Sequence, residues 1–443
     1  MIIRQVRSRT ILAVALASLG GVSAGMAAPA TPQTTVRPAP AVDAIAWDRG
    51  GLRGVVVGPY SPRYFYPDAG STIALRDGTL LHVFNRRETI AGQKDFHVHY
   101  NATAIVSVAS RDGGRSWGPV RELFRSNTGN TASNPSLVRL RDGTLGASYN
   151  RINSIDLTQQ ARAGFWTESV KTADRVFRYS RDEGRTWSRE IAMTPSDGYW
   201  TGAHDRFLTL SSGRILHPLH TIYSRQPYKI GVRVTFSDDD GRTWRVNDRT
   251  LTVERRMAGY RDENRGAGVF AEANLVERRD GTILLIGRTL TGLQYQSVSR
   301  DRGETWSDPT PTEIVSPEAP ARIARIPGSN DLLMIWTSCC VNPRNVVLGE
   351  RLTLSSAIST DEGRTWKWRR EVVSVAPGIM HAADYPSIFF HGGGVFVSYS
   401  AGTKAPSGRA LEPSGEQGQV LQHYMARLPV GWFYAERDNE RPQ

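Results

Sequence analysis

Polar and ionisable side chains recur at two distances from a repeated glycine in this chain. About nine residues before the glycine stand Asp68, Asn134, His204, Glu272 and Tyr385. About seven residues after it stand Arg86, Asn150 with Arg151, His220 and Arg288. The segments around them are apolar. If the fold brings these positions together, carboxylates, imidazoles, guanidinium groups and a phenol would lie close to one another. Such a set could bind a polar ligand and exchange protons with it, whereas the alternative is a hydrated polar rim without chemistry.

The glycines themselves belong to six copies of one hairpin pattern. Each copy is an apolar strand, a glycine turn and a second apolar strand. The glycines are Gly78, Gly143, Gly213, Gly281, Gly328 and Gly393. Glycine supplies a backbone conformation that other residues rarely adopt, and apolar runs on both sides of it are typical of a β-hairpin. The sequence therefore predicts six hairpins of this kind.

A second motif, Ser-x-Asp-x-Gly-x-(Ser/Thr)-Trp, occurs five times between these hairpins. The copies are residues 110–117, 180–187, 237–244, 299–306 and 359–366. The aspartate can accept hydrogen bonds from backbone N–H groups of the turn, and the tryptophan covers the turn with apolar surface. Apolar alternation precedes each copy, so each motif is predicted to close a further hairpin. We expect these aspartates to be structural rather than catalytic.

Alternation of the two hairpins gives six units of four antiparallel strands each. Six such units around an axis make a six-bladed β-propeller, which is an all-β fold. The sixth unit lacks the Ser-x-Asp motif. Its last strand is predicted at residues 424–428, and a strand near residues 51–57 is predicted to complete it and close the ring. Because the first strand of each blade lines the axis, the recurring polar residues should converge there.

The N-terminal residues have the pattern of a secretory signal peptide. Three arginines within the first nine residues precede an apolar run at residues 11–19, and small residues follow. We assign residues 1–28 to this signal, residues 29–45 to a Pro/Ala-rich linker and residues 46–443 to the propeller. No later stretch is long and apolar enough to span a membrane. The expected location is periplasmic or extracellular.

The formal net charge of +12 bears on the class of partner. The arginines are dispersed without an aromatic stacking motif, which favours an acidic glycan or acidic sugar over nucleic acid. The alternative is a solvated basic surface. The two cysteines, Cys339 and Cys340, are adjacent, which excludes a disulfide framework and leaves a vicinal disulfide or two thiols. No metal or other cofactor is predicted, and a monomer is expected.

The five Ser-x-Asp motifs resemble the Asp boxes of the sialidase (neuraminidase) superfamily. Three further segments are similar to that family, namely residues 270–288, 342–354 and 384–388. They hold Glu272 with Arg288, then Arg351, then Tyr385, in an order and approximate spacing similar to the family's catalytic and substrate-binding residues. The resemblance extends over roughly residues 60–430.

The resemblance implies a retaining glycosidase with a tyrosine nucleophile. Tyr385 would attack the sugar. Glu272 would accept its proton, because a tyrosine without a neighbouring base is a poor nucleophile near neutral pH. Arg288 and Arg351 would hold the carboxylate of an acidic substrate by charge-assisted hydrogen bonds.

Two further members of the family's site are less definite in this sequence. The acid that protonates the leaving oxygen is implied in the loop after the second strand, where Asp95 fits and Glu88 is the alternative. The family also has a carboxylate-binding arginine entering the first blade, and no arginine aligns there in this chain. Arg63 is nearest, and Arg86 or Arg87 could substitute from the next strand.

The function expected from these features is the release of sialic acid, or a related acidic sugar, by an exo-acting glycoside hydrolase. Further substrate contacts are expected from Arg86, Asp68, Asn134, His204 and His220. Two alternatives stay open. One is a uronate-active polysaccharide lyase, in which the tyrosine and the histidines, His381 among them, serve as base and acid. The other is a carbohydrate-binding propeller without turnover.

Overall fold

The protein is built from β-strands. A computed structural model describes residues 54–61, 64–88, 103–125, 131–155, 170–225, 227–258, 265–339, 351–374, 383–404 and 419–435. Within these ranges the chain forms 25 strands, and its helical content is one short 3-10 helix, Val430–Tyr434. The class is therefore all-β, as the sequence predicted.

The strands group into units that follow each other along the chain. The first strand, β1 (Val55–Gly58), belongs to the last unit. Unit 1 consists of β2 (Tyr64–Ala74), β3 (Leu80–Glu88), β4 (Thr103–Ser110) and β5 (Arg121–Arg125). Unit 2 consists of β6 (Ala132–Arg139), β7 (Leu145–Ile155), β8 (Val170–Ser180) and β9 (Ile191–Ala192). In both units the strands pair antiparallel in chain order.

Units 3 and 4 share one nine-stranded sheet. Unit 3 consists of β10 (Trp200–Thr201), β11 (Leu208–Thr209), β12 (Ile215–Arg225), β13 (Tyr228–Ser237) and β14 (Arg245–Val246). Unit 4 consists of β15 (Arg265–Glu277), β16 (Ile283–Thr289), β17 (Leu293–Ser299) and β18 (Thr310–Val315). A short parallel pairing of β13 with β15 joins the two units, which the sequence pattern did not predict. The innermost segment of unit 3 is also interrupted, because β10 and β11 pair separately with β12.

Units 5 and 6 have four strands each. Unit 5 consists of β19 (Arg322–Arg325), β20 (Leu332–Cys339), β21 (Thr353–Ser359) and β22 (Lys367–Ser374). Unit 6 consists of β23 (Asp384–His391), β24 (Gly394–Lys404), β25 (Gln419–Pro429) and β1. Strand β1 pairs antiparallel with β25, so a strand from the start of the fold completes the last unit, as predicted. Strand β25 begins earlier than the predicted residues 424–428.

The five Ser-x-Asp motifs form turns with the same hydrogen bonds. In each, the serine hydroxyl donates to Oδ1 of the aspartate and accepts from the glycine N–H, both over 2.8 Å. The aspartate also accepts the backbone N–H of the following Ser or Thr over 2.8–2.9 Å. Hydrogen bonds from Thr186 lower the pKa of Asp182 to about 2. These carboxylates are therefore committed to the turns, in agreement with the structural role predicted for them.

Clusters of buried apolar side chains lie between consecutive units. One cluster joins each of the pairs 1 and 2, 2 and 3, 3 and 4, 4 and 5, and 5 and 6. A further cluster packs Phe396 and Met425 of unit 6 against Leu80 and Phe84 of unit 1. Apolar burial therefore links each unit to the next and the last unit to the first.

The first strands of several units meet at the carboxylate of Asp205, which lies between β10 and β11 in unit 3. Its Oδ1 accepts the hydroxyl of Ser71 over 3.1 Å. Its Oδ2 accepts Nε of Arg322 over 2.7 Å and the backbone N–H of Ile388 over 3.2 Å. Arg322 also donates through Nη1 to Asn274 over 3.1 Å. We call these five residues the central cluster.

The central cluster contacts all six units. Ser71, Asn274, Arg322 and Ile388 belong to units 1, 4, 5 and 6, and Asp205 itself belongs to unit 3. The backbone N–H of Asp205 donates to the carbonyl of a unit 2 residue, Pro135, over 3.1 Å. The side chains of the ion pair are only 11% and 12% exposed, so water screens their attraction weakly.

We expect the substitution Asp205→Asn to destabilise the protein by about 3–5 kcal/mol, because Arg322 would stay buried without its counter-charge. Urea unfolding followed by tryptophan fluorescence measures this change. A second substitution, Arg322→Met, removes the cation that has lost its counter-charge. The double variant should therefore be more stable than Asp205→Asn alone. Unfolding of Asp205→Asn at the parent's urea midpoint would contradict the role given to the ion pair.

Candidate active site

Glu272 lies at an irregular point of β15. The pairing of β15 with β16 shifts between Ala271 and Asn274, as at a β-bulge. Glu272 has a φ of 47°, which is uncommon for a residue other than glycine. The bulge interrupts the alternation of faces along the strand, and the glutamate side chain is buried.

The same irregularity recurs at matching places in other units. Register shifts and positive φ angles coincide at Ala69 of β2, Asn134 of β6 and Tyr385 of β23. Asp205, in the interrupted segment of unit 3, has a φ of 52°. In units 1, 2, 4 and 6, the position eight or nine residues before the hairpin glycine therefore marks a bulge on the first strand.

The bulges of β15 and β23 bring Tyr385 and Glu272 together. The tyrosine hydroxyl donates to Oε1 of the glutamate over 3.4 Å. Nη1 of Arg288 lies 2.7 Å from the other oxygen, Oε2. Arg288 reaches this place because it stands near the end of β16, opposite Ala271 of β15. Three residues predicted from two separate segments of the sequence thus form one contiguous group.

Arg351 lies on another side of the tyrosine. Its guanidinium carbon is 5.8 Å from the centre of the Tyr385 ring. It pairs with the carboxylate of Asp384 and donates to the carbonyl of Glu318 over 2.5 Å. The side chain of Glu318 is in turn 3.6 Å from Arg288. Both predicted arginines therefore lie beside the Tyr385–Glu272 pair, and each is already near a protein carboxylate.

Burial sets the protonation of the pair. It raises the pKa of Glu272 above the ordinary 4.5, and the nearby charges of Arg288 and Arg351 offset only part of this effect. Burial, together with the charge of Glu272, also raises the pKa of Tyr385. The phenol therefore keeps its proton at neutral pH, and Glu272 is the adjacent group that can accept it.

His204 and His220 are buried and uncharged. Burial lowers the pKa of His204 well below its ordinary value and that of His220 to about 3. Nε2 of His204 lies 3.1 and 3.2 Å from the carbonyl oxygens of Tyr385 and Pro386. Since carbonyls only accept hydrogen bonds, this nitrogen carries the proton. His220 is hydrogen-bonded through Nε2 to the hydroxyl of Thr201 over 2.6 Å.

Asp68 and Asn134, predicted as substrate contacts, are bonded to other residues of the protein. Asp68 accepts Nδ2 of Asn85 over 2.8 Å and Nη2 of Arg87 over 3.0 Å. The amide of Asn134 accepts from Asn85 and donates to the carbonyl of Gly202, each over 3.2 Å. These contacts connect units 1, 2 and 3, so both side chains have a structural role whatever else they do.

Arg86 and Arg87 have different neighbours, because successive residues of a strand face opposite sides. The guanidinium of Arg86 stacks 3.8 Å from the ring centre of Tyr64 and lies 3.7 Å from Glu122 of β5. Arg87, rather than Arg86, pairs with Asp68. These contacts hold Arg86 within unit 1, and its part in substrate binding stays a prediction.

The sequence analysis missed two carboxylates of this site. Asp384 pairs with Arg351, and Glu318 lies beside Arg288. Each had a signal. Asp384 is adjacent to Tyr385, and Glu318 stands ten residues before Gly328, the same distance as that of Asp68 from Gly78. Both are almost fully buried, which requires ionised partners.

Some predicted residues cannot be placed. Asp95, His381 and Cys340 lie outside the described residues, as do the side chains of Glu88 and Cys339. In the part of the chain that is described, no group of three or more His, Cys, Asp or Glu side chains is arranged to hold a metal ion. No helix in that part is long and apolar enough to cross a membrane.

The sequence of residues 157–398, more than half of the chain, matches the BNR repeat-like domain family. The chain therefore belongs to this family, within the sialidase superfamily. A sialidase of Bacteroides fragilis (strain YCH46) is 26% identical over 200 residues, which cover 44% of this chain and 31% of that protein. An anhydrosialidase of Macrobdella decora is 29% identical over 154 residues, 32% of this chain and 17% of that protein.

The chain thus spans less than a third of the length of either relative. Among solved structures, a Hadza microbial sialidase superimposes with a TM-score of 0.63. The superposition covers 86% of this chain and 69% of that one, at 16% sequence identity. At this identity the likeness establishes a shared all-β fold. The case for an activity must come from the side chains described above.

We expect His204 to position Tyr385 through the backbone, without touching substrate. His204→Phe removes the donor and should lower kcat by about 10–100-fold, because a small displacement of a reacting group is costly. KM should change little. Glutamine can place an N–H near the position of Nε2, so His204→Gln should recover part of kcat. Equal losses in both variants, or a rise in KM alone, would contradict this role.

Proposed function

We propose that this protein is an exo-acting glycoside hydrolase that releases sialic acid, or a related acidic sugar, with retention of configuration. The observation that carries the proposal is the contact of the Tyr385 hydroxyl with Glu272, flanked by Arg288 and Arg351. Membership of the sialidase superfamily supports the same class of reaction. A binding protein would have no need of a buried phenol beside a buried carboxylate.

In the first step the Tyr385 oxygen attacks the anomeric carbon, and its proton passes to Glu272. The bond from the anomeric carbon to the leaving oxygen breaks, and that oxygen takes a proton from the acid, for which Asp95 remains our candidate. Glu272 suits its role because its pKa is raised, which makes it a stronger base than an exposed glutamate.

In the second step water attacks the same carbon from the side of the departed group. Asp95, now ionised, would take the proton of that water, and Tyr385 would leave as its oxygen regains the proton held by Glu272. Two displacements at one carbon restore its configuration. A neutral phenol suits an acidic sugar, because a carboxylate nucleophile would repel the substrate's own charge.

Arg288 and Arg351 are the groups that would hold the substrate carboxylate. Arg288 is almost buried, and within the described residues no group accepts a hydrogen bond from its Nε. A carboxylate in reach of both guanidinium groups would gain charge-assisted hydrogen bonds in a poorly hydrated place. Glu318 and Asp384 would keep the two guanidinium groups in position before the substrate arrives.

We further propose that the six units are the blades of a closed propeller whose axis passes through the central cluster. The apolar clusters that link each unit to the next, and unit 6 to unit 1, support this arrangement. The pattern of residues 1–28 supports export through the general secretory route.

The substitution Tyr385→Phe tests the nucleophile. It removes one oxygen, so the fold should persist while turnover of an aryl sialoside falls by several orders of magnitude. Glu272→Gln should cause a similar loss, and the double variant should be little worse than either, because the two side chains act as one unit. A 3-fluoro sialic acid probe should label Tyr385 in the parent protein.

A matched control is Tyr399→Phe, which removes the hydroxyl of another buried tyrosine and should leave turnover unchanged. Near-parental activity of Tyr385→Phe would rule out the tyrosine mechanism. A product that absorbs in the ultraviolet as an unsaturated sugar would replace the hydrolase with the lyase, and NMR of the first-formed anomer decides between retention and inversion.

The acid limb of the pH dependence of kcat/KM should report the ionisation of Glu272. Only its ionised form can accept the tyrosine proton, and its pKa is raised, so kcat/KM should fall as the pH drops through a value above 4.5. Arg288→Met removes the largest charge effect that lowers this pKa and should shift the limb to higher pH. If the midpoint of the acid limb lies at or below pH 4.5 and does not move in Arg288→Met, the limb reports the ionisation of another group.

A further inference from the structure

Arg206 is a fully buried cation in the interrupted segment of unit 3, next to Asp205. Its backbone N–H donates to the hydroxyl oxygen of Ser136 over 3.1 Å. Among the described residues, none accepts a hydrogen bond from its Nε, Nη1 or Nη2. A guanidinium group removed from water without acceptors or counter-charge is strongly unfavourable.

The carboxylates nearest to Arg206 are bound elsewhere. Both oxygens of Asp205 are occupied by the other members of the central cluster. The carboxylate of Glu272 is paired with Arg288 and receives the hydroxyl of Tyr385. Burial and the neighbouring charge of Arg322 lower the pKa of Arg206 to about 9, which still leaves it charged at neutral pH.

A second buried cation increases the positive charge at this place. Arg175 is also fully buried, and its guanidinium donates only to neutral acceptors, among them Ser148, Asn150 and the carbonyl of Gly202. It also donates to the hydroxyl oxygen of Ser136, which accepts from Arg206 as well. The two arginines thus share Ser136 as a neighbour, and in the described part of the chain neither guanidinium donates a hydrogen bond to a carboxylate.

Unpaired donors outnumber unpaired acceptors around Arg206. Asn274 uses its Oδ1 for Arg322, while its buried Nδ2 makes no hydrogen bond to a described residue. Among the described residues, two buried acceptors near Arg206 make no hydrogen bond. One is Nδ1 of His204, since its Nε2 is the protonated nitrogen, and the other is Oε2 of Glu272, which is ion-paired with Arg288. A water molecule would accept from these donors but would bring two more hydrogens, whereas an anion only accepts.

We propose that Arg206 is the principal ligand of a buried monovalent inorganic anion of the halide class, held close to the central cluster. Such an ion supplies the hydrogen-bond acceptor that the Arg206 guanidinium lacks among the described residues. It adds negative charge to that of Asp205 and Glu272, which are already paired with other arginines, and it adds no donors. The site does not depend on the proposed function, and its test requires no turnover.

Bromide locates the ion in the parent protein. Crystals grown in sodium bromide should give a bromine anomalous peak within hydrogen-bonding distance of the Arg206 guanidinium. The peak should disappear when the crystals are transferred to sodium gluconate, whose anion is too large for a closed interior site. Bromine peaks confined to the molecular surface, with water at Arg206, would overturn the proposal, and this measurement needs no variant that could fail to fold.

Thermal unfolding gives an independent measurement. At constant ionic strength, replacement of gluconate by chloride or bromide should raise the Tm of the parent by about 2–5 °C, because the ion binds only the folded state. Arg206→Met should lose this halide dependence. Arg300→Met, which changes an exposed arginine, should keep it. The same halide dependence in the parent and in Arg206→Met would refute the site.

Discussion

The ion pair of Asp205 with Arg322 fixes the innermost segments, and the candidate active site depends on it. Apolar clusters hold each unit against the next, but apolar contact is non-directional and tolerates small shifts along a strand. The carboxylate of Asp205 accepts groups from three other units in defined directions, so it sets their relative register. The preceding residue, His204, lies within hydrogen-bonding distance of the Tyr385 carbonyl, so the position of Tyr385 depends on the central cluster.

The site also depends on backbone strain that the surrounding sheets must sustain. Glu272 and Tyr385 both adopt positive φ angles, each at a cost of about 1–3 kcal/mol for a residue with a side chain. On a regular strand their side chains would alternate with those of their neighbours, and the two groups would not both face the same place. The bulges therefore allow Glu272 and Tyr385 to contact each other, which regular strands would not.

The parts of this structure that the sequence predicted are those whose partners are local or periodic. The hydrogen bonds that the recurring serine and aspartate side chains of each Asp box make in the turn lie within eight residues, so the motif alone specifies the turn. Glu272 and Tyr385 were predicted because each stands at a similar distance before the hairpin glycine of its unit. Glu318 and Arg206 were missed because their importance arises from neighbours on other units. Asp68 occupies the periodic position as well, yet nothing local shows that Arg87 is its partner.

In the proposed mechanism, the pairing of Arg288 with Glu272 would link substrate binding to the strength of the base. In the free protein the guanidinium stabilises the ionised glutamate and so lowers its basicity. A substrate carboxylate that draws Arg288 away removes this stabilisation, and the pKa of Glu272 then rises towards the value that burial alone would give it. The affinity of Glu272 for the tyrosine proton would therefore be greatest when an acidic sugar is in place. A neutral sugar could not compete for Arg288 in this way, so the same contact that holds the substrate also discriminates in favour of its charge.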